Sequence, residues 1–149
     1  MDKFNSQRSE FSPMFYGSNF DQLYFASPRT KDKESKISAI TGLGNNNFYL
    51  AKKNEKGEWL APEEIEDEVN TEFDEGTPSF SADGRSMYYT YCSQDPESSR
   101  TAEIYVSSRS NAKWGKGVKV QLLKDSVTTL AHPSISPDGK YLFFVSDAM

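Results

Sequence analysis

His132, Cys92 and a dense run of carboxylates are the residues of this 149-residue chain whose types could do chemistry. His132 is its only histidine and Cys92 its only cysteine, so the chain alone can build neither a disulfide nor a multi-cysteine zinc site. His132 stands directly before Pro133, and the matching position of an earlier repeat is Thr77. That position does not demand an imidazole, so a structural or exposed histidine is expected rather than a general base. Cys92 ends an apolar run, MYYTYC, where burial works against a reactive thiolate. The sequence holds no Gly-x-Ser-x-Gly elbow and no phosphate-cradling glycine loop. TGLGNNN, from Thr41 to Asn47, has two glycines in the wrong spacing for a dinucleotide fingerprint and reads as a turn.

The most unusual local composition is EEIEDEVNTEFDEG, from Glu63 to Gly76. Its carboxylates could hold calcium or a basic partner, but they lack the regular Asp-x-Asp-x-Asp-Gly ligand spacing. A solvated connection that keeps the chain soluble is the expected reading, and no metal or cofactor is assigned. Asp83 and Asp138 could suggest paired-carboxylate catalysis. Both precede glycine between strand-like runs, so turn formation explains them. Trp59 and Trp114 could be sugar-stacking platforms; their shared repeat position favours packing on an outer strand.

The elements that carry these residues repeat. TPSFSADGRSMYYTYCS from Thr77 and HPSISPDGKYLFFVS from His132 share Pro-Ser-x-Ser-x-Asp-Gly followed by an apolar run. Pro78 and Pro133, Asp83 and Asp138, and Trp59 and Trp114 are each 55 residues apart, and each tryptophan precedes its proline by 19. A looser copy, SPMFYGSNFDQLYFAS, starts at Ser12, with Asn19, Phe20 and Asp21 at the turn. Asp-Gly between strand-like runs predicts a tight two-residue hairpin, because glycine supplies the positive φ. Proline cannot donate to a ladder, so Pro78 and Pro133 are expected to start their strands. Apolar runs without alternation, such as Leu142 to Val145, predict strands buried on both faces. No sustained helical period is present. Units of four antiparallel strands, each needing neighbours on both faces, predict an all-β fold of β-propeller blades. The blades are expected at residues 9–71 and 72–130, with a half-blade at 131–149. Closed propellers have about four to eight blades, so this is a partial propeller, either a piece of a larger ring or one of several copies closing a ring. The open ends predict self-association through exposed blade faces.

A net charge of −5 gives no basic face for nucleic acid or anionic lipid. No apolar run approaches the roughly 20 residues that span a bilayer, so no direct membrane insertion is expected. The opening MDKFNSQRSE has no hydrophobic stretch, and no signal peptide is read there.

At PSISPDGKYLFFVS, from Pro133 to Ser146, the chain resembles the WD-repeat-like propeller motif of TolB and its relatives. FDEGTPSFSADG, AEIYVSSRS and the Trp59-to-Pro62 W-x-x-P together resemble propellers of OmpA-family envelope lipoproteins of the Bacteroidetes. The third strand of that family begins Asp-Ile-Tyr; here Glu103 and Asn47 take the first position. The resemblance implies a periplasmic, outer-membrane-associated scaffold that binds an envelope protein and is not an enzyme. The alternatives are a carbohydrate-binding or carbohydrate-cleaving propeller, or the propeller of a larger peptidase. In usual propeller geometry, the fourth-to-first and second-to-third connections share a rim. Arg29, Glu72, Asp74, Glu75, Thr77 and His132 are the expected binding residues there. The long Lys-rich loop from Ser27 to Asn46 is expected at the same rim.

Overall fold

The computed structural model describes residues 4–29, 44–93, 102–124 and 128–148. Most of the Ser27–Asn46 loop and of its shorter counterpart after Ser93 therefore lies outside the described residues, as does the start of TGLGNNN. The described residues form strands, turns and irregular segments, without helix.

Each repeat opens with a hairpin: β1 (Phe11–Tyr16) with β2 (Gln22–Ser27), β5 (Asp74–Phe80) with β6 (Ser86–Cys92), and β10 (Leu130–Ile135) with β11 (Leu142–Ser146). The first continues through β3 (Asn47–Lys52) and β4 (Glu63–Glu64) into a four-stranded sheet in chain order. The second continues through β7 (Glu103–Ser110) and β8 (Lys113–Trp114), with β9 (Val118–Lys119) also pairing with β7. The third is the two-stranded β10–β11 sheet. The sheets stack in chain order: β1, β2 and β3 touch β5, and β10 touches β5, β6 and β7. This is an all-β arc of propeller blades, about two and a half long.

The Asp-Gly turns are wider than the two-residue hairpin the sequence suggested. Ser81 pairs with Ser86 around a four-residue loop, and Gly84 closes a turn onto the Ser81 carbonyl at 2.9 Å with φ +67°. Ser81 Oγ donates to Asp83 Oδ1 at 2.6 Å, which also accepts the Arg85 N–H at 3.0 Å. The Ser86 N–H donates to Ser81 Oγ at 2.9 Å. Ser136, Asp138, Lys140 and Tyr141 repeat the pattern at 2.6, 3.2 and 3.0 Å. The first serine of Ser-x-Asp-Gly thus supplies a side-chain partner that lets the loop widen.

Neither proline starts its strand. Pro78 and Pro133 sit inside β5 and β10, next to a bulge that all three hairpins share. Register steps three residues against two between Phe11 and Met14, Gly76 and Ser79, and Ala131 and Ser134. The residue before proline takes the left-handed region each time: Ser12 at φ 52°, Thr77 at 51°, His132 at 55°. A bulge leaves one residue out of the ladder, so a proline there forfeits no hydrogen bond.

A left-handed pair, Asn111 (φ 50°) and Ala112 (φ 64°), forms the β7–β8 turn between Ser110 and Lys113. Alanine carries a Cβ penalty there, and its side chain is exposed. Ala112→Gly should raise stability by about 0.5–1 kcal/mol. Urea melts check this, and an unchanged or lower midpoint would mean that Ala112 is unstrained.

The core is the seam between the first two sheets. Tyr24, Ala26, Phe48, Ile65 and Val69 face Met87, Tyr89 and Trp114. The fourth segment of the second sheet breaks at Gly115–Gly117, where the backbone passes close to Tyr89. A Cβ on Gly117 would lie 1.8 Å from the Tyr89 hydroxyl. Unlike β6, β11 is not buried on both faces: Tyr141, Phe143 and Val145 are exposed while the residues between them are half-buried.

Candidate functional site

The acidic stretch is not a solvated connection throughout. It winds along the seam and ties the first two sheets together. Asp67 Oδ2 accepts the Trp114 N–H at 3.0 Å, and Glu68 Oε2 accepts the Lys116 N–H at 3.3 Å. Asn70 folds the stretch onto β3, accepting the Phe48 N–H at 2.8 Å and donating to the Phe48 and Ile65 carbonyls. Among the described residues, no three of the His, Cys, Asp and Glu side chains gather into a metal-holding group.

Antiparallel order places the ends of β2, β4, β6 and β9 and the starts of β3, β5, β7 and β10 at one rim, and the hairpin turns at the other. Asp74 and Glu75 lie at the first rim, where β5 begins. Asp74 is buried, and its Oδ1 accepts both the N–H and the Nδ2 of Asn46 at 2.8 Å. The Glu75 N–H donates to the Asn46 carbonyl at 2.8 Å. Only 1% of Glu75 is exposed; its Oε1 accepts from Thr71 Oγ1, and its Oε2 has no partner. Burial, with the nearby Asp74 charge, pushes its carboxyl up to about 8 despite the Thr71 hydrogen bond. Glu72 is exposed beside them, and its carbonyl accepts from Asn45 Nδ2.

Thr77 and His132 lie inside the strands, at the bulges of adjacent first strands, and one residue links them. Thr77 Oγ1 is 2.6 Å from Thr90 Oγ1, which accepts the His132 N–H at 2.9 Å. The His132 side chain is exposed. The first strands touch in order, β1 to β5 and β5 to β10, so the bulges step along one inner face of the arc.

Arg29 joins neither group. Its guanidinium lies 5.2 Å from the Phe25 ring centre and 5.0 Å from that of Tyr49, and pairs with Glu10 at 2.9 Å. Burial opposes ionisation of Glu10, but hydrogen bonds from Ser6, Ser27 and Arg29 hold its carboxyl below the usual value. Glu10 and Glu75 occupy matching positions one residue before Phe11 and Gly76, each bonded to a hydroxyl four residues upstream. The first is ion-paired and the second is not.

Sequence reasoning missed Asn46 and Thr90. Thr90 sits within an otherwise apolar run, and Asn46 is 28 residues from Asp74; only the pairing reveals either. Trp114, 2% exposed, packs its ring on Tyr16, Tyr24 and Phe80 and donates to the Tyr24 hydroxyl at 3.2 Å. No sugar can stack on it. Trp59, half-buried, packs on Phe4 and Phe15 under the Lys53 ammonium. Burial, with the Asp74 and Glu75 charges, pushes the Cys92 thiol up to about 11, the opposite of an activated nucleophile.

No family model and no curated protein match the sequence. Among solved structures, the crystal structure of TolB from Acinetobacter baumannii is similar at a TM-score of 0.52 and 18% identity. The alignment covers 90% of this chain and 26% of that one. The chain spans about a quarter of that structure's length, and the likeness is one of fold: an arc of TolB-like β-propeller blades.

Proposed function

We propose that this arc is a non-catalytic protein-interaction module of the cell envelope that binds its partner at the rim and inner face marked by Glu72 and His132. One observation carries the reading: the groups that could do chemistry are engaged in shaping the arc. Asp83 and Asp138 build turns, Asp67 and Asp74 bridge strands, Cys92 resists ionisation, and Thr90 joins two bulges. Side chains fixed in this way position loops, which is what a recognition surface on a rigid scaffold requires. The envelope location rests on the resemblance of the repeat motifs to propellers of OmpA-family lipoproteins.

Because Asp74 and Glu75 are buried, they shape the rim from within and Glu72 presents its charge. The double variant Glu72→Lys/His132→Ala alters two exposed side chains, and its thermal melt verifies folding. Immobilised parent chain should retain one protein from native cell-envelope extract, released by excess soluble chain. The variant should retain it at least about tenfold less well, as for loss of an interface anchor. Equal retention by both would place the surface elsewhere.

A further inference from the structure

A cavity of about 410 Å³ opens between the first two sheets, where β3 and β7 end. That volume lies in the range of small-molecule sites. The cavity lies toward the hairpin turns, away from the rim that carries Glu72. Buried Tyr24 and Ile65, with half-buried Leu50, give it an apolar depth, and Leu60 is exposed at its mouth.

Its charged residues come from both walls. The first sheet contributes Glu63 and Glu64 of β4, Asp67 just beyond them, and Lys52 at the end of β3. The second contributes Arg109 of β7 and Lys113 of β8. Three cations thus share the cavity with three carboxylates, yet among the described residues none of the six forms an ion pair. Glu64 is engaged by Asn47 and Tyr49. Asp67 gives one oxygen to the Trp114 N–H, which leaves its other oxygen and the exposed Glu63 without a cation.

Arg109 is the least satisfied of the six. Its guanidinium lies 4.6 Å from the Tyr16 ring centre and 5.5 Å from that of Trp114, and donates to the Ala112 carbonyl at 3.3 Å. Its buried Nε has no acceptor. The Tyr24 hydroxyl, on a residue 2% exposed, accepts from the Trp114 indole and donates to no acceptor among the described residues. Burial pushes its pKa up, against the indole hydrogen bond and the Arg109 charge, so it remains a donor. Unmet donors and an uncompensated guanidinium cost stability, and a carboxylate in the cavity relieves both. A simple anion would meet Glu63 and Asp67 as like charges. A molecule that also carries an ammonium turns that repulsion into a second contact, which selects for it. Charges already held apart need little rearrangement when such a ligand arrives.

We propose that this cavity binds a small zwitterion of dipeptide size with apolar side chains, its carboxylate at Arg109 and the Tyr24 hydroxyl and its ammonium at Glu63 and Asp67. The site shares no residue with the rim, so it is independent of the partner-binding reading.

The test titrates the dipeptide Leu-Leu into the whole chain, with amide shifts read residue by residue by NMR. A dissociation constant of about 1 mM or below is expected for a molecule of this size, with shifts centred on residues 60–67 and 109–113. N-acetyl-Leu-Leu, without the ammonium, and Leu-Leu amide, without the carboxylate, should each bind at least about tenfold more weakly. Arg109→Met keeps an apolar stem over the rings and should abolish the difference between Leu-Leu and its amide. Glu63→Gln/Asp67→Asn keeps an acceptor for the Trp114 N–H and should abolish the difference between Leu-Leu and its acetylated form. Thermal melts verify folding of each variant. If Arg109→Met does not fold, Lys113→Gln, an exposed change, should narrow the same difference by about threefold. Shifts centred elsewhere, equal binding of the three ligands by the parent chain, or undiminished discrimination by the folded variants overturns the proposal.

Discussion

Replacing Glu75 by glutamine flattens the dependence of stability on pH between about 4.5 and 8 and makes the chain more stable at the upper end. The cause is the solitary burial of this carboxyl, 1% exposed with one oxygen unpartnered. Its pKa is raised from 4.5 in the reference state to about 8 in the fold. Between those values the folded state holds a proton that the unfolded state has released. Stability therefore falls as pH rises through that window, by up to about 1.4 kcal/mol per pH unit. Below the window both states are protonated and the parent chain carries no penalty. Above it the penalty stays constant. Glutamine accepts from Thr71 as the acid does and never ionises, so Glu75→Gln should gain about 2–4 kcal/mol at pH 8 and little at pH 4. Guanidinium melts across this range read the effect. A parallel pair of pH profiles would show that Glu75 ionises freely in the fold. The matching Glu10 should behave in the opposite sense, because hydrogen bonds and Arg29 favour its charged form.

The second large effect separates two tryptophans that the sequence makes equivalent. Trp114→Ala removes a side chain 2% exposed, opens the seam between Tyr16, Tyr24 and Phe80, and leaves the Tyr24 hydroxyl without its indole donor. A loss of about 3–5 kcal/mol is expected, enough to unfold a marginal domain. Trp59→Ala should cost roughly 1–2 kcal/mol, since its half-buried ring can shed less apolar contact. Trp59 keeps the local geometry of Trp114. Its ring meets Phe15 at 6.3 Å and 32°, as Trp114 meets Phe80 at 5.6 Å and 33°. Each carries a cation, Lys53 at 4.9 Å and Arg109 at 5.5 Å. Among the described residues Phe4 meets Trp59 edge-on at 5.5 Å, where Tyr16 and Tyr24 meet Trp114. Equal losses for the two variants in urea melts would contradict the seam as the main source of cohesion.

These contrasts mark where sequence reasoning succeeds and where it stops. The 55-residue spacing exposes the repeat, because strands alternating with Asp-Gly turns leave a local trace. The bulges leave none. Ser12, Thr77 and His132 share only a following proline, and nothing local says that an X-Pro step sits inside a strand in left-handed conformation. The acidic stretch looked solvated because carboxylates usually are. The partners of Asp67 and Asp74 lie 47 and 28 residues away in the chain and become visible only when the sheets stack. Of the expected rim residues, the pattern located the rim connections but not burial. It could not distinguish Glu72, exposed, from Glu75, enclosed, three positions apart in the same acidic stretch. Arg29 had a local clue in Ser27 and Phe25, but the Glu10 that holds it required the hairpin.

Amide hydrogen exchange of the chain, alone and with the protein it retains from envelope extract, tests the interaction reading most directly. New protection is expected at the rim and inner face, around Glu72, Phe73 and His132, with the turns at 82–85 and 137–140 unchanged. Protection confined to those opposite turns, or no retained protein that soluble chain can compete away, would contradict it.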